Sequence, residues 1–125
     1  MKTKVFFMAI LLSAFLFAND KVINYDCRFS KYATEDGLHK AENFYLKFKV
    51  DIQTGKSYQE GNNGLSDVIL VYNEIEKSVT FIEVTSWKNV MTTTIIANGK
   101  AVHSRHTAML GKIVPSQYYG ECIIK

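Results

Sequence analysis

Residues 79 to 110 read VTFIEVTSWKNVMTTTIIANGKAVHSRHTAML and contain three runs typical of β-strands, separated by two short turns. Asn98-Gly99, between the second and third runs, is a strong hairpin signal because both residues tolerate the positive φ of a two-residue type I′ turn. We expect the other turn at Trp87-Lys88. The stretch therefore predicts a three-stranded antiparallel meander.

A two-residue loop at Asn98-Gly99 also fixes which side chains share a face of this hairpin, since the side-chain period of a strand is two. In this register Ile95 faces Val102. One face then has an aliphatic run and no formal charge, and we expect it to look inward: Met91, Thr93, Ile95, Val102, Ser104, His106, Ala108 and Leu110. The opposite face has an arginine and three threonines, and we expect it to meet solvent: Val90, Thr92, Thr94, Ile96, His103, Arg105, Thr107 and Met109.

Alternation of apolar and polar residues predicts further strands on both sides of this block. One strand spans residues 22–33. The clearest alternation has its apolar positions at Phe44, Leu46, Phe48, Val50 and Ile52. Shorter runs occupy residues 56–60, 68–72 and 117–124. Residues 34–42 suit either a loop or one helical turn, and Gly111 and Pro115 bracket a loop before the last strand.

Eight strands joined by short connections predict an all-β antiparallel meander. An open meander of this size would expose two long edges, whereas closure removes both of them. We therefore expect a closed small β-barrel. A two-sheet β-sandwich built from the same strands is the alternative.

The first eighteen residues have the features of a secretory signal peptide. Lys2 and Lys4 form a basic start, residues 5–17 are apolar, and Ala18 precedes the expected cleavage point. A retained membrane anchor is the alternative, but a spanning helix needs about 20 apolar residues. Cleavage would leave residues 19–125 as one domain, periplasmic or secreted and without a membrane span.

The charge balance of this expected mature chain is nearly even. Without Lys2 and Lys4 the 15 basic residues become 13, against 12 acidic ones. Nucleic acids and anionic membrane surfaces require a clustered basic face, and the remaining lysines are scattered singly. The composition therefore argues against both as partners.

Cys27 and Cys122 are the two cysteines of the chain. An exported protein with an even number of cysteines usually oxidises them, and these two lie on the apolar faces of the first and last predicted strands. Their spacing fits neither a redox CxxC pair nor a metal site. We expect a Cys27–Cys122 disulfide that joins the two ends of the sheet.

The chain resembles a group of small exported Gram-negative bacterial proteins without an assigned activity. The resemblance covers most of the mature chain and is carried by GNNG at 61–64, TFIEVT at 80–85, NVMTTTI at 89–95, AVHSR at 101–105 and PSQYYGEC at 115–122. It implies a periplasmic or secreted setting, and it has no catalytic residues to transfer.

The HSRH segment at residues 103–106 contains side chains that could bind a metal or act as a nucleophile and base. His103 and His106 are three apart, so on a strand they point to opposite faces and cannot share a metal ion. Ser104 and His106 share a face, but no carboxylate falls there to orient the imidazole, and the chain has no GxSxG motif. The sequence thus predicts no enzyme, no cofactor and no metal.

Two binding functions are expected instead. Thr93, Ser104 and His106 among aliphatic neighbours suit the wall of a pocket for a small apolar or amphipathic ligand, although His106 also suits a core histidine bonded to a hydroxyl or carbonyl. The loops 61–64 and 86–89 offer protein-contact residues: Asn62, Asn63, Trp87 and Lys88. Trp87 suits an interface anchor or a side chain folded back over the barrel end.

The state of the interior discriminates between these two functions. Filling by large side chains would leave no room for a ligand, and the expected fillers are Phe29, Phe44, Leu46, Phe48, Met91 and Leu110. We rank first a non-catalytic exported protein of the bacterial envelope that acts through its loops on another protein. The alternative is a carrier for a small ligand inside the barrel.

Overall fold

The computed structural model describes residues 21–61 and 64–125. This part of the chain is all-β, as expected, and contains no helix. Its strands are β1 (Val22–Thr34), β2 (Gly37–Asp51), β3 (Ser57–Gly61), β4 (Gly64–Asn73), β5 (Ser78–Val84), β6 (Val90–Ile95), β7 (Lys100–Met109) and β8 (Lys112–Ile124). The predicted signal peptide, residues 1–18, lies outside the described residues. Within those residues there is no helix with the length and apolar character needed to cross a membrane.

Each strand pairs in antiparallel fashion with the next, and β1 also pairs with β8, so the sheet closes on itself. The predicted closed barrel is confirmed, and the sandwich alternative is wrong. The closing seam depends on Gly120 of β8, because a Cβ added there would lie 2.7 Å from the Cα of Phe29 on β1. The neighbour of Gly120 on β7 is the small residue Ala101. Small side chains thus let β1 and β8 approach closely where the barrel shuts.

The Cys27–Cys122 disulfide is present and lies on this seam. The two cysteines are directly opposite one another in the β1–β8 pair, and both are buried. They are 95 residues apart in sequence, so the bond ties the first strand to the last. The predicted disulfide is confirmed, and it fits an oxidising compartment.

The barrel interior is filled by side chains. Phe48 and Phe81 stack with their ring centroids 4.3 Å apart, and Tyr25 meets Phe81 edge-on at 5.4 Å. The buried apolar residues are Tyr25, Cys27, Phe29, Leu46, Phe48, Val50, Phe81, Ile95, Ala101 and Cys122. Because interiors pack at the density of organic crystals, these side chains leave little room in the middle of the barrel.

The turn at Asn98-Gly99 differs from the expected two-residue loop. Ile96 N donates to Lys100 O at 3.0 Å, and Gly99 N donates to Ile96 O at 2.9 Å, so the loop has three residues, 97–99. Of the three loop residues, only Gly99 has a positive φ, 91°. This is the type I turn with a bulge at glycine, which suits Asn-Gly as well as the type I′ turn does. The predicted loop length is wrong by one residue.

The extra loop residue moves β7 by one position against β6. Thr93 pairs with His103, and Ile95 pairs with Ala101. A shift of one residue exchanges the two faces of a strand. Ala101 and His103 are therefore buried inside the barrel, whereas His106, predicted to point inward, is exposed.

Three further expectations about chain reversals are corrected. Residues 34–42 are neither a loop nor a helical turn, since β1 and β2 run to a two-residue connection at 35–36. Pro115 lies within β8, not in a loop. The pairing of β8 with β1 ends at Ala33–Gln117, so at Pro115 β8 is paired only with β7. Proline is tolerated at such an edge position. The loop before β8 is Leu110-Gly111 alone, and Leu110, an expected interior residue, is 94% exposed at its tip.

The connections between strands lie at two ends of the barrel. One end has the loops after β2, β4 and β6; the other has the loops after β1, β3, β5 and β7. β3, β5 and β6 have 5, 7 and 6 residues, whereas β1, β2 and β8 have 13, 15 and 13. The β1–β2 and β7–β8 hairpins therefore extend past their short neighbours at the second end, which we call the long-hairpin end.

Candidate functional site

Polar and aromatic side chains gather inside the barrel toward the long-hairpin end, on β2, β6, β7 and β8. Thr93, His103 and Tyr118 form one cross-strand row, and Arg105 follows two residues after His103 on the same face of β7. Phe44 of β2 completes the group. We call these five residues the Arg105 cluster.

His103 links the members of the cluster by hydrogen bonds. Its Nε2 lies 3.2 Å from the Nε of Arg105, and its Nδ1 lies 2.7 Å from the hydroxyl oxygen of Thr93. The arginine can only donate, so Nε2 accepts; Nδ1 therefore has the proton and donates it to Thr93. Both ring nitrogens are occupied, and the imidazole is neutral.

The surroundings of His103 also favour the neutral imidazole. The side chain is 1% exposed. Burial is the main reason that the pKa of His103 falls from 6.5 to about 4, and the positive charge of Arg105 lowers it further. His103 is thus a structural acceptor for Arg105 at neutral pH. With no free nitrogen, it cannot act as a general base in this arrangement.

The guanidinium of Arg105 lies against two aromatic rings. Its Cζ is 4.7 Å from the ring centroid of Phe44 and 4.9 Å from that of Tyr118. Cation–π attraction at such distances contributes about 0.5–1 kcal/mol at an exposed site and about 2 when desolvated. The rings and the bond to His103 together hold the guanidinium in one orientation.

No acidic side chain of the described residues forms an ion pair with this guanidinium. Within residues 21–61 and 64–125, the ion pair with an N–O distance of 4.0 Å or less is Lys125–Asp26, far along the barrel from Arg105. Glu83 is the carboxylate on the same cross-strand row, two strands away, with Met91 between them. Its contact is with the hydroxyl of Ser66 at 3.5 Å. Arg105 thus keeps an unneutralised charge at the mouth of the barrel.

Aromatic stacking continues from the cluster onto the β1–β2 hairpin. Tyr32 stacks on Tyr118 with centroids 5.0 Å apart, and His39 stacks on the other side of Tyr32 at 5.0 Å. These rings are only partly buried or exposed. The inner face of the long-hairpin end is therefore an aromatic surface with one fixed cation.

The predicted ligand-binding residues do not come together. Thr93 is buried, but Ser104 and His106 lie on the outer face of β7. The expected core histidine bonded to a hydroxyl exists at His103 instead of His106. Sequence reasoning missed Arg105 as an inward residue because it used a two-residue loop; a three-residue loop at the same Asn-Gly pair would have revealed it.

The predicted protein-contact residues that can be described lie at the long-hairpin end. Trp87 is 86% exposed in the β5–β6 loop, so the alternative in which it folds back over the barrel is wrong. Lys88 is exposed beside it, with a φ of 65°. Asn62 and Asn63 lie outside the described residues, and the glycines that flank them are at the same end.

Other large apolar side chains are exposed at this end. Leu38 of the β1–β2 hairpin is 65% exposed, and Leu110 and Ile113 of the β7–β8 hairpin are 94% and 75% exposed. Together with Trp87 they occupy three separate hairpins around the mouth. An exposed tryptophan is a common interface anchor. The opposite end also exposes apolar side chains, Ile52 at 56% and Ile75 at 90%, but it has no tryptophan.

Metal ions and small molecules are the other ligands that a barrel of this size could bind. In the described part of the chain, no group of three or more His, Cys, Asp and Glu side chains could hold a metal ion. An apolar hollow of about 360 Å³ lies at the end opposite the long hairpins, lined in part by Ile23, Leu70, Tyr72 and Ile124. None of the residues predicted to bind a ligand lines it.

Comparison with known proteins gives no match to a protein-family model, to a curated protein or to a solved structure. Any inference about function therefore depends on the residues themselves.

Proposed function

We propose that this protein is a non-catalytic binding protein, exported to the periplasm or secreted, which contacts another protein of the bacterial envelope through its long-hairpin end. Export is supported by the basic and apolar start of the chain and by the disulfide. The resemblance to small exported Gram-negative proteins supports the same setting.

The exposed apolar side chains on three hairpins at one end are the observation that carries this proposal. Trp87, Leu38 and Leu110 lie on different pairs of strands around the mouth, and neighbouring strands are about 4.8 Å apart. A small molecule could cover one of these tips at a time. A protein surface can cover all of them together, which is why we favour a protein partner.

Among the described residues, His103 and Ser104 do not form a nucleophile–base pair. His103 has both ring nitrogens occupied, and Ser104 points away from it to the outer face. A nucleophile and its base must lie within hydrogen-bond reach of each other. Binding therefore accounts for this arrangement better than hydrolysis does.

Photo-crosslinking in the producing cells tests the proposal. A benzophenone amino acid is placed at position 87, at position 110 and, as a matched control, at position 71. Val71 is apolar and 50% exposed on the outer wall of β4, so it reports non-specific apolar capture. We expect the same adduct from positions 87 and 110 and none from position 71. Adducts of equal yield at all three positions, or none at the long-hairpin end, would contradict the proposal.

A small-ligand carrier is the second candidate, and the apolar hollow at the opposite end is the observation that favours it. Its volume of about 360 Å³ lies within the range of small-molecule pockets. Native mass spectrometry of protein purified from its own compartment decides the matter. A bound molecule that is lost in Leu70→Trp, a change that fills the hollow, would support the carrier; protein that arrives without a ligand would exclude it.

A further inference from the structure

We propose that Arg105 is a binding site for a carboxylate group of the partner protein, either an acidic side chain or a chain terminus. This inference rests on the proposed function, since it names the group that the long-hairpin end recognises. It starts from the positive charge of Arg105, which lies against two aromatic rings on the inner face.

The hydrogen-bonding capacity of Arg105 is mostly unused. A guanidinium has five N–H donors, and the Nε–H is taken by His103. The two terminal nitrogens retain four N–H groups with no acceptor among the described residues. Arg105 is only partly buried, so solvent reaches its side chain. Two parallel N–H donors of a guanidinium match the two oxygens of a carboxylate.

The orientation of these donors is fixed before any ligand arrives. Contact with the rings of Phe44 and Tyr118 on two sides restrains the guanidinium, and the hydrogen bond to His103 restrains it further. His103 is in turn held by Thr93 at 2.7 Å. A flexible arginine loses side-chain freedom when it binds, whereas this one has already lost it. The arrangement is therefore more than a charged residue that caps an aromatic core.

The inner face beside Arg105 suits the rest of an acidic segment. Thr107 and Met109 follow Arg105 on the same face of β7, and Val114 of β8 pairs with Thr107. Met109 and Val114 are 56% and 52% exposed. Apolar groups of the partner that cover them would also exclude water from the carboxylate, which strengthens the charge–charge attraction.

The carboxylate of Glu83 lies near Arg105 and opposes the binding of a second carboxylate there. It shares the cross-strand row with Arg105, and two strand spacings place their backbones about 10 Å apart. It is not within ion-pair distance of Arg105, but its negative charge lowers the local attraction for a second carboxylate. Removal of that charge should therefore tighten carboxylate binding.

The chain allows a direct test, because Arg28 and Arg105 are its two arginines. Each Nε–H gives its own signal in a nitrogen-15 spectrum, and Arg28, exposed on the outer face of β1, is the internal control. The probes are acetate and 3-phenylpropionate, with chloride at equal ionic strength as the reference. We expect a saturable shift of the Arg105 signal with both carboxylates and no saturable shift of Arg28.

Three variants sharpen the result. Arg105→Lys keeps the charge but lacks the planar fork, and it should weaken 3-phenylpropionate binding about tenfold or more. Glu83→Gln should tighten it several-fold, and Arg28→Gln should leave it unchanged. If Arg105→Lys fails to fold, as its melting curve would show, the Glu83→Gln titration and the Arg105 signal decide the question. Equal shifts at both arginines, or no effect of Glu83→Gln, would overturn the inference.

Crosslinking separates this inference from the proposed function. A position-87 adduct that disappears in Arg105→Lys supports both. An adduct that survives in Arg105→Lys with unchanged yield leaves the protein-binding function standing and overturns the carboxylate site. Micromolar binding of decanoate at Arg105, without any adduct, would show that the carboxylate belongs to a free acid and would overturn both.

Discussion

The neutral, buried imidazole of His103 makes the stability of the protein depend on pH. The perturbation is acidification from pH 7.5 to pH 4. The pKa of His103 is lowered from 6.5 to about 4 by burial and by Arg105. Between these values the unfolded chain takes up a proton that the folded protein does not, so acidification favours unfolding.

The magnitude follows from the same two pKa values. Above pH 6.5 the imidazole is neutral in both states and has no effect on the pH dependence. Below it, the free energy of unfolding falls by about 1.4 kcal/mol per pH unit until the folded protein is protonated near pH 4. The full loss is about 3 kcal/mol, a large fraction of the roughly 5–15 kcal/mol that stabilises a typical domain.

Urea unfolding of the disulfide-bonded protein at half-unit pH steps measures this dependence. His103→Gln removes the titrating group, and its amide can still accept from Arg105 and donate to Thr93. We expect this variant to lose most of the slope between pH 6.5 and pH 4. His106→Gln, at an exposed position of the same strand, is the matched control and should keep it. An unchanged slope in His103→Gln would refute the assignment of the buried neutral imidazole.

Three other predictions follow from the fold. Replacement of both Cys27 and Cys122 by alanine should lower the free energy of unfolding by about 4–5 kcal/mol in the chain-entropy model. Urea denaturation measures this change. A variant as stable as the wild type would mean that the disulfide does not constrain the unfolded chain. Gly120→Ala should cost about 2 kcal/mol or more, because its Cβ would meet the β1 backbone. Gly61→Ala has open space and no positive φ, so it should cost little; equal costs in thermal melts would refute the close approach at the seam. Intact mass of the exported protein should show cleavage after Ala18, and a product that retains residues 1–18 would contradict export by a cleaved signal peptide.

The Arg105 cluster changes how the HSRH segment of the sequence is understood. The segment suggests a histidine site, yet its two histidines lie on opposite faces of β7 and have different environments. The buried histidine accepts a hydrogen bond from Arg105, which is partly buried. The group of this segment that we propose to bind a ligand is therefore the guanidinium of Arg105, in contact with two aromatic rings.

Much of the fold was determined by the sequence alone. Alternation of apolar and polar residues reflects burial of one strand face, and burial does not depend on which neighbour a strand finds. Phe29, Phe44, Leu46 and Phe48 were therefore placed on the inner face correctly. Cys27 and Cys122 could be assigned to facing positions because each lies on the inward-facing side of its strand, the first and the last of the sheet. Short connections between successive strands left a meander as the simplest pairing, and eight strands favoured closure.

The register of β7 was decided only by the tertiary structure. Asn98-Gly99 is compatible with a two-residue and a three-residue loop, and the two differ by little in local energy. What distinguishes them is β8: Gly99 O accepts from Cys122 N at 2.7 Å, and a Cβ at Gly99 would lie 2.6 Å from Cys122 O. Those contacts join residues 23 positions apart, so no local pattern contains them. They select the three-residue loop, and that single residue turns His103 and Arg105 inward and His106 outward.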